Sequence, residues 1–132
     1  METITLQRTG LRPLAFEGEL LAEADSRQSQ GPCQNRWWGL ELYRTGERYV
    51  VSVSYRTQWQ GEHDTNTVEV LRTPEDVENH LRGHPFLAGV SGYPRGHDER
   101  QARLEQSLRQ CWEAAVTEVL AVLGPEELTD EQ

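Results

Sequence analysis

The stretch RWWGLELYRTGERYVVSVSYRTQWQGEHDTNTVEVLR, residues 36–72, decides the fold, because it reads as three consecutive antiparallel strands. In its middle segment Tyr49, Val51, Val53, Tyr55, Thr57 and Trp59 are apolar or β-branched, and Arg48, Ser52, Ser54, Arg56 and Gln58 fill the intervening positions. Period-two alternation of this kind marks a strand with one face in a core. Trp38, Leu40 and Leu42 form the matching set upstream, and Val68 and Val70 the set downstream. Odd-numbered core positions of the middle strand must therefore meet even-numbered ones on both neighbours.

That parity restricts the turns, because residues sharing a face in an antiparallel pair have numbers with a constant sum. A two-residue Gly46-Glu47 turn, with Gly at the position of positive φ, puts Leu42 opposite Val51, Leu40 opposite Val53 and Trp38 opposite Tyr55. A Gly61-Glu62 turn in the second hairpin predicts Tyr55 opposite Val68 and Val53 opposite Val70. On the outward face the same register sets Trp37 against Arg56, Tyr43 against Val50 and Leu71 against Ser52. Apolar and aromatic groups there invite two readings: another element covers them, or Trp37, Tyr43, Val50, Arg56 and Leu71 form a binding surface of the composition that dominates interface hot spots. Trp37 and Arg56 are expected to stack as a cation–π pair.

Outward from this block, residues 3–8 and 14–22 alternate in the same way, with Ile4, Leu6, Leu14, Phe16, Leu20 and Ala22 inward, and Gly18 signals a bulge or a close backbone approach. The run 25–35 reads as a mobile loop. Thr73-Pro74-Glu75-Asp76 carries a helix start, a hydroxyl cap followed by Pro and two acids, and Gly83 ends that short helix. Residues 83–97 form a Gly/Pro-rich connector anchored by Phe86, Leu87, Val90 and Tyr93. From Asp98 to Leu123 a stripe at threes and fours predicts a helix of about 39 Å, capped by Asp98 and stopped at Gly124-Pro125. Residues 126–132 make an acidic tail. The expectation is a single α+β domain over 1–132: a five-stranded, mostly antiparallel meander with one short and one long C-terminal helix packed on it.

Length and charge bound the function. At 132 residues the chain suits one domain, and its net charge of -9 opposes a binder of duplex DNA. All 13 basic residues are Arg, the pattern of a GC-rich coding sequence. Neither a signal peptide nor a run of about 20 apolar residues is present, which implies a soluble, cytoplasmic protein. Cys33 and Cys111 offer one pairing, but two cysteines do not make a disulfide framework, so reduced thiols are expected.

No chemical motif stands out. His80, His84, His97 and Cys111 suggest a metal set, but Gly83 should end the helix before His84 and no paired short spacing supports one. His63, Asp64 and Glu69 are the residues of a minority enzyme reading, without a nucleophile elbow or oxyanion hole. The site expectation is thus no catalytic residue, no metal and no cofactor. Residues 37–64, from Trp-Trp-Gly-Leu-Glu-Leu-Tyr to Gly-Glu-His-Asp, and the later Thr-Pro-Glu-Asp-Val resemble the central block of small sheet-plus-helix proteins of GC-rich bacteria and their plasmids and phages. The resemblance implies an accessory role on a mobile element, such as blocking a larger complex of a defence system. The leading expectation is a protein-binding protein that carries no membrane segment and is able to dimerise through its long helix. The alternative is a single-stranded nucleic-acid platform built on Trp37, Tyr43 and Arg56.

Overall fold

The computed structural model describes residues 2–28 and 34–125. Five strands, β1 (Glu2–Arg8), β2 (Leu11–Asp25), β3 (Arg36–Thr45), β4 (Arg48–Thr57) and β5 (Thr65–Leu71), form one antiparallel meander in the order β1-β2-β3-β4-β5. Helix α1 (Pro74–Arg82) and helix α2 (Asp98–Leu120) follow, the latter extended by a 3₁₀ turn at Ala121–Leu123. This is the expected α+β architecture, with the sheet curled into a half-barrel.

The first hairpin has the expected register: Leu42 pairs with Val51, Leu40 with Val53 and Trp38 with Tyr55. Gly46 takes a φ of 57°, and among the described residues only glycines have positive φ, so the strand twist is accommodated where no Cβ obstructs it. The second hairpin departs from expectation. Val53 pairs with Thr67 and Ser52 with Val68, while Val70 lies opposite Val50 and Leu71 opposite Tyr49. The slip from Val70 to Thr67 is odd, so every side chain of β5 changes face. Its cause is the loop 58–64: Glu62 turns inward to Arg36, and the Asp64 carboxylate accepts the Thr57 N–H at 3.0 Å. A solvated Gly-Glu turn is replaced by a longer excursion.

Two apolar clusters result, one on each face of the sheet. The larger contains Trp38, Leu40, Leu42, Val51, Val53 and Tyr55 together with Leu108, Trp112, Ala115, Val116 and Val119 of α2 and the fully buried Val77 and Leu81 of α1. Trp38 meets Tyr55, Phe86 and Trp112 at ring-centroid distances of 5.4, 5.6 and 6.0 Å. An aromatic of this kind buries some 150–250 Å², worth roughly 4–6 kcal/mol of gross transfer energy, so this junction dominates the sheet–helix contact. Leu6, Tyr43 and Val50 form the smaller cluster with Ile4, Leu14, Phe16 and Val68.

That second cluster exists because β2 changes partner midway. Up to Gly18 it pairs with β1, and from Glu19 it pairs with β3. A Cβ on Gly18 would stand 2.4 Å from the Arg44 carbonyl oxygen, so the close approach expected there is real. A further register shift between Leu20 and Ala22 bends the strand. The β1–β2 hairpin thereby folds across the outward face, where Phe16 packs edge-on to Tyr43 at 5.5 Å. The β1–β2 turn then reaches β5: Thr9 donates its N–H to the Asn66 carbonyl at 2.9 Å, and Asn66 donates its own to Thr9 Oγ1.

The helix signals hold with one change. Thr73 Oγ1 accepts the Asp76 N–H at 3.0 Å, with Pro74 next in sequence, and Gly83 closes α1. At α2 the cap position is His97 and its side chain makes no capping bond. Gln101 instead turns to accept the Tyr93 N–H at 2.8 Å. Of the run 25–35, residues 29–33 lie outside the described residues, but Ser26 is no loose loop residue: it is buried and accepts the Trp38 N–H at 2.8 Å. The tail 126–132 is also outside them. Cys111 is buried on α2 and disulfide-bonded, contrary to the expectation of reduced thiols; Cys33 is outside the described residues.

Val53 is 2% exposed between Leu40 and Thr67. Val53→Asp places an unpaired carboxylate in the larger cluster and is expected to abolish cooperative folding. Urea unfolding followed by circular dichroism checks this, and native-like stability would contradict the assigned core.

Candidate functional site

The outward sheet face is where the sequence places a binding surface, and the structure divides it in two. Tyr43 is 6% exposed and Val50 1% exposed, both beneath the β1–β2 hairpin. Leu71 stands on the opposite face, partly buried against the larger core. These three are corrections to the expected surface: β1 and β2 cover Tyr43 and Val50, and the odd slip of β5 removes Leu71. Trp37 and Arg56 are paired across the hairpin and remain half-exposed. Their expected mutual stacking is replaced by separate partners: Arg27 lies over the Trp37 ring at 4.1 Å, while Arg56 donates to the Tyr55 and Thr65 carbonyls and to Asn66 Oδ1.

Between these groups and the covered half lies a groove of about 470 Å³ lined by Glu23, Ala24, Asp25, Gly39, Leu40, Glu41 and Ser54. Its floor follows from the register. Glu23 pairs directly with Glu41, and in the next row on that face Asp25 pairs with Gly39, which in turn pairs with Ser54. The Ser54 side chain lies close over Gly39, where a Cβ would stand 2.7 Å from Ser54 Oγ. Like charges directly opposite in an antiparallel pair destabilise the sheet. The negative field is felt at Tyr43, whose hydroxyl donates to Glu41 at 2.9 Å. Burial first, and then Glu41 and Glu23, push its pKa far above the ordinary tyrosine value. Sequence reading missed this groove because Glu23 and Glu41 look like ordinary solvated strand acids until β2 is registered on β3.

The second charged feature is buried. Glu62 accepts from both Nε and Nη2 of Arg36 at 2.7–3.1 Å, from Tyr55 Oη at 2.6 Å and from Thr57 Oγ1 at 2.8 Å. It also accepts from Ser91 N at 2.9 Å and Ser91 Oγ at 2.5 Å. The Arg36 and Glu62 side chains are 6% and 2% exposed, and Arg36 also lies 4.7 Å from the Trp59 ring centroid. Burial by itself raises the Glu62 pKa, but bonds from Arg36, Ser91 and Tyr55 outweigh it and hold the carboxyl far below its usual range. A carboxylate so fully engaged is a structural clamp joining β3, β4, the loop 58–64 and the connector.

The remaining candidates do not converge. Asp64 is occupied by the Thr57 N–H, and β5 carries Glu69 roughly 13 Å along the strand from the loop of His63 and Asp64. Gly83 ends α1 before His84, yet the chain folds back and the His80 and His84 rings meet at 5.9 Å, so the pair that the sequence raised and set aside on account of Gly83 is in contact. Among the described residues no group of three or more His, Cys, Asp or Glu side chains is placed to hold a metal ion. No described helix is long and apolar enough to cross a membrane. The fold and groove define the class as an α+β half-barrel with an acidic cleft on the sheet face away from its helices. Comparison with protein-family models, curated proteins and solved structures finds no match.

Removing one member of a buried ion pair strands the other, at a cost of about 3–5 kcal/mol, whereas replacing both by apolar groups costs less. Arg36→Met is therefore expected to destabilise the protein by that amount, and Arg36→Met with Glu62→Met by less. Chemical denaturation of wild type and the two variants tests this, and a loss in the double variant as large as that in Arg36→Met, or larger, would contradict a stranded Glu62 charge as the cause.

Proposed function

We propose that the chain is a non-enzymatic binding protein that recognises a protein partner by taking a cationic side chain of that partner into the Glu23–Asp25–Glu41 groove. The observation that carries this reading is the direct Glu23–Glu41 pairing on the wall of a groove that Asp25 also lines. A fold optimised only for stability gains by replacing one of these acids, and an inserted guanidinium or ammonium relieves their repulsion. Trp37 and Arg56, one row beyond Gly39 and Ser54, form the rim. Mixed aromatic and charged rims suit protein partners. Three carboxylates on the open half, with Tyr43 and Val50 buried, weigh against a platform for phosphate-rich single strands. A small acidic protein of this kind fits an accessory role, for example as an inhibitor that occupies an Arg- or Lys-bearing surface of a larger bacterial complex.

Glu23→Gln separates function from stability. Relief of the Glu23–Glu41 repulsion is expected to stabilise the fold by about 0.2–1 kcal/mol, and loss of the charge to weaken binding of a labelled Arg-rich peptide at least about tenfold. Thermal unfolding and fluorescence anisotropy on the same samples give both values, with an unstructured acidic peptide and a single-stranded oligonucleotide as controls. Unchanged peptide affinity in Glu23→Gln, or tighter binding of the oligonucleotide than of the peptide, would rule the reading out.

A further inference from the structure

On the opposite side of the sheet from the groove, four rings and a guanidinium form a column. His80 of α1 meets His84 edge-on at 5.9 Å, and His84 lies on Trp112 of α2 at 5.3 Å with the planes tilted by 30°. Trp112 stacks on Phe86 at 5.2 Å and 8°, and Arg109 covers Phe86 at 5.2 Å. His84 Nε2 is 3.5 Å from Thr67 Oγ1 on β5, whereas its Nδ1 is buried without a hydrogen-bond partner. We propose that His84 is an acid-sensitive latch: protonation of this enclosed, unpartnered Nδ1 frees the connector and α1 from Trp112 while the sheet keeps its pairing.

The physical asymmetry lies in what Nδ1 becomes. In the neutral ring with its proton on Nε2, an unpartnered Nδ1 is a lone pair without a donor, a modest loss. On protonation it becomes a charged N–H with no acceptor, a much larger one. The surroundings do not compensate. α1 presents His80, itself titratable, and Arg82 beside the Phe86–Trp112 end of the column; α2 presents Arg109 and Glu113 at that same end. From β5 come the Thr67 hydroxyl and Glu69, whose field acts on His80. The attraction of an indole face for a cation is therefore opposed by burial and by His80. Together these lower the His84 pKa from 6.5 to about 4, burial being the larger cause. Since the open or unfolded chain takes up the proton near 6.5 and the closed one only near 4, the closed form is fully favoured above 6.5. It loses stability as pH falls between those values. The far lower pKa of Glu62 puts failure of the clamp at more acidic pH, so the latch opens first.

Acid titration of the intact protein followed by near- and far-ultraviolet circular dichroism tests this. Wild type is expected to lose aromatic near-ultraviolet signal between pH 6.5 and about 4 while far-ultraviolet ellipticity persists. In His84→Phe, which keeps a ring on Trp112 but cannot titrate, the near-ultraviolet midpoint should fall by roughly one pH unit or more. An unchanged midpoint in that variant, or simultaneous loss of both signals in wild type, overturns the proposal. If His84→Phe does not fold, an NMR titration of the wild-type imidazoles decides: a depressed His84 pKa coupled to the Trp112 indole resonance supports the latch, and an ordinary value near 6.5 overturns it.

Discussion

The buried Arg36–Glu62 ion pair is the interaction on which the rest of the structure depends. Glu62 engages Arg36 at the start of β3, Tyr55 and Thr57 at the end of β4, and both the N–H and hydroxyl of Ser91 in the connector. Drawing that carboxylate inward lengthens the loop 58–64, and the length of the loop determines which residues of β5 meet β4. From that slip follow the packing of Val68 against Tyr43 and Val50 on one face, and the placing of Thr67, Glu69 and Leu71 on the other, where Leu71 packs against the larger cluster. Buried ion pairs are seldom large net stabilisers, because desolvation offsets their attraction. Here the pair's consequence is geometric: it selects one register over another of opposite facing.

The contrast between the two hairpins explains what the sequence made legible. In the first, the turn is short and the facing residues Leu40, Leu42, Val51 and Val53 alternate cleanly, so local pattern and parity suffice. The second turn contains a Gly-Glu pair of the same appearance, and nothing local distinguishes a solvated Glu47 from a buried Glu62. That distinction depends on Arg36, twenty-six positions away. The helix start at Thr73-Pro74 was legible because capping is a short-range matter of one hydroxyl and one N–H. The His80–His84 contact was not, since Gly83 properly ends the helix and only packing against Trp112 brings the rings together.

For the covered half of the outward face, the sequence carries a signal in favour of coverage over an open surface. Tyr49, Val50 and Val51 are consecutive apolar residues in β4, and an uninterrupted run of this kind belongs to a strand buried on both sides. Ile4, Leu6, Leu14 and Phe16 also needed a surface to cover. With α2 occupying the other face, the outward side of β3 and β4 was the remaining one. Of the two readings the sequence left open for Tyr43 and Val50, coverage by another element is the one that accounts for both facts.

Where β2 changes partner also locates the groove. Its segment up to Gly18 carries the hairpin that lies over Tyr43 and Val50, and its segment from Glu19 to Asp25 runs beside β3 with Glu23 and Asp25 on the outward side. The cover therefore ends about where the acids begin. Apolar rows near Tyr43 gain from being covered, whereas the rows of Glu41 and Gly39 would bring carboxylates out of water beneath any lid that lacked a cation. One bent strand thus divides a single face into a closed apolar half and an open acidic half. The charge pattern that keeps the second half open is the same one on which the proposed recognition of a positively charged group rests.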